Sequence, residues 1–289
     1  MPLASSIVGR RSEPATTEVD ARWMMAYAAG LGESGSWYLD TLRAGGIIAH
    51  PLFPVCVEWL TRPSATSLGL TEAEAARGVH YSYDVTLHRP VRPGEWVTTV
   101  SEVVAVTRHR AGALLLTRID ASVDGESLWT TWTGTLLRQV ELEGEETVLQ
   151  GTSAGLPRTD AVSDLVGSSA TVPVAPTLGH VYSECARIWN PIHTDPAVAA
   201  GVGLPSVILH GTATLALAVS KVLALIGVDD PGRVNRIAGR FGAMVPMPSV
   251  LTVRLQSCAV LDACDTVHFD VVTSSGSPAI RGGLLGVAK

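Results

Sequence analysis

Phe241-Gly242-Ala243-Met244-Val245-Pro246-Met247-Pro248 runs into an alternating apolar stretch from Val250 to Leu261. Thr266 to Thr273 follows, then the turn Ser274-Ser275-Gly276-Ser277, then Ala279 to Ala288. The same order occurs earlier. Leu87-His88-Arg89-Pro90-Val91-Arg92-Pro93-Gly94 leads into Trp96 to Val106, then Ala113 to Val123, the turn Asp124-Gly125-Glu126, and Leu128 to Leu137. Strand-like alternation broken by short polar turns is the pattern of an antiparallel meander, and here it occurs twice. Each meander is preceded by an apolar helical stretch: Pro54 to Leu60, continuing a run from Ile47, and Gly211 to Ile226. A long apolar helix lying on a curved antiparallel sheet, repeated, predicts an α+β protein made of two copies of one unit. Fusion of a two-fold dimer into one chain would produce that duplication.

Outside the repeat, Val19 to Gly30 carries Trp23 and Tyr27 on one helical face, and Gly30, Gly32 and Gly35 end that helix in a loop. The acidic run Glu141-Leu142-Glu143-Gly144-Glu145-Glu146 and the Ser/Thr/Gly/Ala-rich stretch 151–172 read as an exposed linker. The expected organisation is a first unit at 1–140, a linker at 141–172 and a second unit at 173–289.

Composition narrows the function classes. A net charge of -6, with Lys221 and Lys289 the only lysines, argues against a nucleic-acid partner, which needs a basic stripe. Cys56, Cys185, Cys258 and Cys264 are scattered without metal-ligand or disulfide-framework spacing, so no metal is expected. The first residues, with Arg10, Arg11 and Glu13, lack the apolar run of a secretory signal. Ala213 to Val228, interrupted by Ser220 and Lys221, is too short to span a bilayer. The expectation is a cytoplasmic protein with no membrane partner. Gly30-Leu31-Gly32 lacks the strand-turn-helix context of a nucleotide loop, and no Gly-x-Ser-x-Gly elbow is present, so no cofactor and no serine nucleophile are expected.

The chemistry is carried by Trp189-Asn190-Pro191-Ile192-His193-Thr194-Asp195-Pro196 and by Leu209-His210-Gly211. Pro191 disfavours helix at Asn190, so a turn presents Asn190 and His193. A histidine there can move a proton near neutral pH, or it can simply cap a helix. Asp195-Pro196 reads as an N-cap followed by a first-turn proline. Gly211 opens a helix whose N–H can hold negative charge developing on a substrate oxygen; the alternative is a close-packing glycine.

With Tyr182 before them, these residues resemble the MaoC-like R-specific enoyl-CoA hydratases and dehydratases, in particular the long double-hotdog members. The likeness covers residues from about 17 to the end, including Tyr27-Ala28-Ala29-Gly30-Leu31-Gly32. It implies a double hotdog that binds an acyl thioester, carried by CoA or an acyl carrier protein, between its halves. The first half would shape the acyl pocket and the second would carry the catalysis. It assigns His193 as acid and base, Asn190 as the orienting group and Gly211 as the oxyanion donor. Tyr182, Ile188 and Arg187 would lie at the substrate pocket. The chain departs from the family where Ser-Gly-Asp becomes Ala186-Arg187-Ile188, because isoleucine cannot share the proton work of the aspartate.

Glu58, inside the apolar Val55-Cys56-Val57-Glu58-Trp59-Leu60, is the candidate substitute acid, against the reading of a solvated or ion-paired carboxylate. Arg187 either meets an acidic substrate group or forms an ion pair. His50, His80, His88, His109, His180 and His268 are read as structural or surface residues. The activity expected is a hydro-lyase of 2-enoyl or 3-hydroxyacyl thioesters. Two alternatives stand beside it: a proton-transfer enzyme, of isomerase or cyclase type, in a specialised biosynthetic pathway, and a catalytically silent acyl-thioester-binding subunit. Pairing of two chains into a homodimer stays open.

Overall fold

The computed structural model describes residues 2–152, 167–260 and 264–289. The first unit is built from β1 (Ala15–Val19), α1 (Ala21–Gly30), α2 (Pro54–Glu58), β2 (Gly78–Leu87), β3 (Glu95–His109), β4 (Gly112–Val123) and β5 (Glu126–Arg138). The second contains β6 (Ser169–Val174), α3 (Leu178–Ala186), α4 (Pro196–Gly201) and α5 (Gly211–Leu225). It is completed by β7 (Val234–Phe241), β8 (Ser249–Val260), β9 (Cys264–Thr273) and β10 (Pro278–Ala288).

The strands form one antiparallel sheet in the order β1-β3-β4-β5-β2-β7-β10-β9-β8-β6. The order is palindromic: the second half of the path repeats the first in reverse, as a two-fold axis between β2 and β7 requires. At that seam Ile237 pairs with Val85 and Gly239 with Tyr83, and Arg236 makes two hydrogen bonds to Asp84, at 3.0 and 2.8 Å. The sheet curls around α5, which is buried from Thr212 to Val219 and again at Val222 and Leu223. A helix apolar on nearly all sides is what a position inside a sheet demands. This is the expected α+β double hotdog.

The two wrapped helices are unequal. The sequence predicts a long helix in each half, but α2 has five residues, continued only by the 3-10 turn Trp59–Thr61. Pro54 starts it at the first helical position, and Pro63 pushes Arg62 into an extended conformation that stops it. The second unit begins at Ser169, inside the stretch expected to be linker, because β6 pairs with β8 from Ser169 to Val174. Residues 153–166 of that expected linker lie outside the described residues.

α1 and α3 are two-fold mates that cross at close range. Asp20 caps α1 by accepting from the Trp23 N–H at 2.7 Å. A Cβ on Gly30 would lie 2.9 Å from the Cβ of Cys185, so glycine sets how near the two helices come. The hydroxyls of Tyr27 and Tyr182 meet at 3.4 Å in the buried seam between the halves.

Candidate functional site

Three elements of the second unit converge on one point: the end of α3, the loop after it and the first turn of α5. Arg187 ends α3 in the left-handed conformation (φ 58°), and Ile188 N–H returns to the Ser183 carbonyl at 3.0 Å. Asn190 is extended, as the following proline predicts, and its side chain accepts from Ile192 N–H at 3.4 Å. Pro191–His193 forms a 3-10 turn, and Asp195 caps α4 through Ala197 N–H at 2.8 Å and Val198 N–H at 3.3 Å.

His193 is mostly buried, with its Nδ1 2.8 Å from the carbonyl oxygen of Ile208. A carbonyl only accepts, so Nδ1 carries the proton and Nε2 is left with the lone pair. Burial lowers the pKa of the ring below its usual value, and the Ile208 carbonyl acts in the opposite direction. The ring stacks on His210, with centroids 3.6 Å apart and planes at 26°. His210 Nε2 lies 3.2 Å from Ser183 Oγ. Its pKa falls to about 2, chiefly through burial and then through the neighbouring His193, so His210 is neutral at ordinary pH.

Gly211 is the first residue of α5, where backbone N–H groups have no partner within the helix. A Cβ there would lie 2.8 Å from the Phe241 ring, so the helix start has no room for a side chain. Tyr182 is fully buried, donates to Thr212 Oγ1 at 3.0 Å and packs 4.8 Å from the His210 ring. Ile188 is 5% exposed and belongs to the core cluster. His193, Asn190, Gly211, Tyr182 and Ile188 therefore lie on the converging elements of one unit.

Two expected members lie elsewhere. Arg187 turns to the first half, its guanidinium 4.1 Å above the Trp23 ring and 3.7 Å from Asp20. Glu58 is neither solvated nor ion-paired: its carboxylate accepts from Tyr83 at 3.0 Å, from Trp129 Nε1 at 2.9 Å and from the Thr131 hydroxyl. Burial raises its pKa to about 7 against the pull of those three donors. All three belong to the first half's own sheet.

His50 is buried and His80 half-buried; desolvation depresses their pKa values to about 3 and about 4, so both are neutral. Leu52 N–H donates to His50 Nδ1 at 3.1 Å, so Nε2 donates to Ser220 Oγ at 3.2 Å. His80 packs 4.5 Å from Phe241, behind Gly211.

Sequence reasoning missed two residues. Ser183 holds Ile188 through its carbonyl and His210 through its hydroxyl. Gly179 lies where a Cβ would come within 2.6 Å of the His193 carbonyl oxygen, so α3 seats the His193 turn directly against its backbone. The spacing of Ser183 four residues ahead of Arg187 gave no sign of either role. A cavity of about 260 Å3 opens beside this cluster, lined by Asn190 and Ser183 together with His180, Glu184, Trp189, Pro191 and Thr194. Among the described residues no group of His, Cys, Asp or Glu forms a metal site, and no helix is long and apolar enough to cross a membrane.

Comparison with known proteins bears on the fold and on each half of the chain. Residues 163–276 match the MaoC like domain, and residues 6–130 match the FAS1-like dehydratase region. The enoyl-CoA hydratase ChsH3 of Mycobacterium tuberculosis is 25% identical over 68% of this chain and 66% of its own length. The 3-hydroxyacyl-thioester dehydratase X of the same organism is 31% identical over 66% of this chain and 64% of its own. The aligned segment thus spans about two thirds of each of these relatives. A MaoC-like dehydratase from Phytophthora capsici shares the fold with a TM-score of 0.82 at 21% identity, covering 98% of this chain and 96% of that one. The chain thus carries a FAS1-like dehydratase region in its first half and a MaoC-like domain in its second.

Proposed function

We propose that this protein is a hydro-lyase acting on a 2-enoyl or 3-hydroxyacyl thioester, with His193 Nε2 as its single proton-transfer atom. One observation carries the reading: the Ile208 carbonyl holds the proton on Nδ1 and leaves Nε2 basic. In dehydration, Nε2 takes the proton from C2 and the bonding electrons move to the thioester oxygen. The Gly211 N–H meets that oxygen at the positive end of α5; losing such a donor costs on the order of 3 kcal/mol. Collapse of the enolate breaks the C3–O bond, and the proton on Nε2 leaves with the hydroxyl as water. Asn190 orients that hydroxyl. Ile188 supplies an apolar wall in place of the family's aspartate, so the base does both transfers in turn. Glu58, held by three donors in the other half, is a structural carboxyl on this reading.

The acyl chain would follow the seam where Tyr27 meets Tyr182, and the carrier is CoA or an acyl carrier protein. Association of two chains into a homodimer is compatible with this site, which draws its named residues from one chain. A second reading is favoured by the buried apolar Ile188: proton transfer at C2 without water addition, as in an isomerase.

The test is turnover of a panel of 2-enoyl and 3-hydroxyacyl thioesters in heavy-oxygen water, with wild type beside His193→Ala. Label in the wild-type 3-hydroxyacyl product, lost in the variant, supports the hydro-lyase. Deuterium exchange at C2 without oxygen label supports the second reading. No turnover and no exchange across the panel overturns both.

A further inference from the structure

We infer that Ser183 and His210 form a positioning bracket for His193, fixing the base in a site that lacks the family's aspartate. The inference rests on the assignment of His193 as the base. Ser183 sits on α3 and is 2% exposed. Its carbonyl accepts from Ile188 N–H at 3.0 Å, and its hydroxyl contacts His210 Nε2 at 3.2 Å. One residue thus ties the start of the loop to the residue that opens α5. His210 then presents its flat face to the His193 ring at 3.6 Å, while the Ile208 carbonyl holds the edge of that ring. A face and an edge together leave an imidazole little rotation, which is what a base needs to meet its proton in line.

No carboxylate performs this task here. The neighbouring ionisable groups are turned to other work or lie outside. Tyr182 packs its ring on His210 and donates to Thr212. Arg187 faces Trp23 and Asp20, and Asp195 is bound to the amides of α4. His180 and Glu184 line the cavity beside Ser183. The bracket is therefore made of neutral groups, and it depends on the Ser183 hydroxyl rather than on a charge. His210, being neutral, positions His193 and takes no proton of its own.

The experiment follows the ring resonances of isotope-labelled histidine through a pH titration in wild type, Ser183→Ala, Ser183→Thr and His210→Phe, with His193→Ala as the assignment standard. In Ser183→Ala the loosened loop admits water, and the titration of His193 moves up towards the ordinary value near 6.5. Ser183→Thr, which keeps the hydroxyl, restores the wild-type midpoint. His210→Phe keeps the stacked face but loses the tie to Ser183, and it moves the midpoint in the same direction as Ser183→Ala. Turnover is the second reading: kcat falls on the order of tenfold in Ser183→Ala with KM nearly unchanged, and Ser183→Thr recovers it. A His193 titration in Ser183→Ala that superimposes on wild type overturns the bracket. Because the titration needs no substrate, it decides the bracket even where the thioester panel fails and the proposed activity falls.

Discussion

Replacing Glu58 by glutamine keeps the outline of the side chain and removes its ability to ionise, which isolates what a buried carboxylate does to this fold. Burial raises the Glu58 pKa from the ordinary 4.5 to about 7, against the opposing pull of Thr131, Tyr83 and Trp129. The folded protein therefore binds more protons than the unfolded chain between those two values. The contribution of the protonated carboxyl is fully present below the unfolded pKa and is lost as pH rises through the folded one. The difference between the two pKa values corresponds to about 3 kcal/mol, an order-of-magnitude figure. In Glu58→Gln the amide oxygen accepts from Trp129 and Thr131 and the amide N–H donates to the Tyr83 hydroxyl, with no charge to desolvate. Urea unfolding of both proteins, run from about pH 5 to about pH 8, reads the difference directly. The stability of the variant relative to wild type should improve up to about pH 7 and level off above it. Two stability curves that run parallel would refute the reasoning, because the carboxylate would then be equally at ease folded and unfolded.

Further outcomes follow from the same geometry. Gly211→Ala places a Cβ 2.8 Å from the Phe241 ring, so overpacking should cost about 1–3 kcal/mol in a denaturant titration and turnover should fall with the displaced helix start. Gly179→Ala pushes on the His193 carbonyl oxygen from 2.6 Å, and kcat should drop more than stability does, measured side by side by turnover and thermal unfolding. Arg236→Met removes the bidentate pair with Asp84 at the seam; with the guanidinium partly exposed, the loss should be about 1–2 kcal/mol, reduced further by salt. On the proposed mechanism, in which His193 acts unprotonated, the kcat/KM profile should be flat at neutral pH and fall as pH drops through a value below the ordinary histidine range, because burial lowers the His193 pKa.

Much of the fold was legible because its signals are local. The alternation in β3 and β4 is fixed by period-two burial, and the turn after β4 by Asp124 and Gly125, both at positive φ. Asn190 before Pro191 and Asp195 before Pro196 specify their own backbone through steric exclusion and capping, and both adopt the conformations those rules require. The short β1 and β6 escaped notice: with five and six residues each, they are strands only because β3 and β8 offer them an edge. The brevity of α2 was written in Pro54 and Pro63, but its apolar run disguised it.

What the sequence alone determined is the duplication, the turn that carries His193 and the helix that starts at Gly211, because each depends on residues next to one another in the chain. Tertiary structure decided which groups share a site. Glu58 stood open between a substitute acid and a solvated or ion-paired carboxylate until its three donors came in from strands 25, 71 and 73 residues away. Ser183, His210 and Gly179 gained their roles only when α3, the loop and α5 converged. Whether a polar group is a proton carrier or a satisfied core residue depends on what surrounds it, and that is set by packing between distant segments.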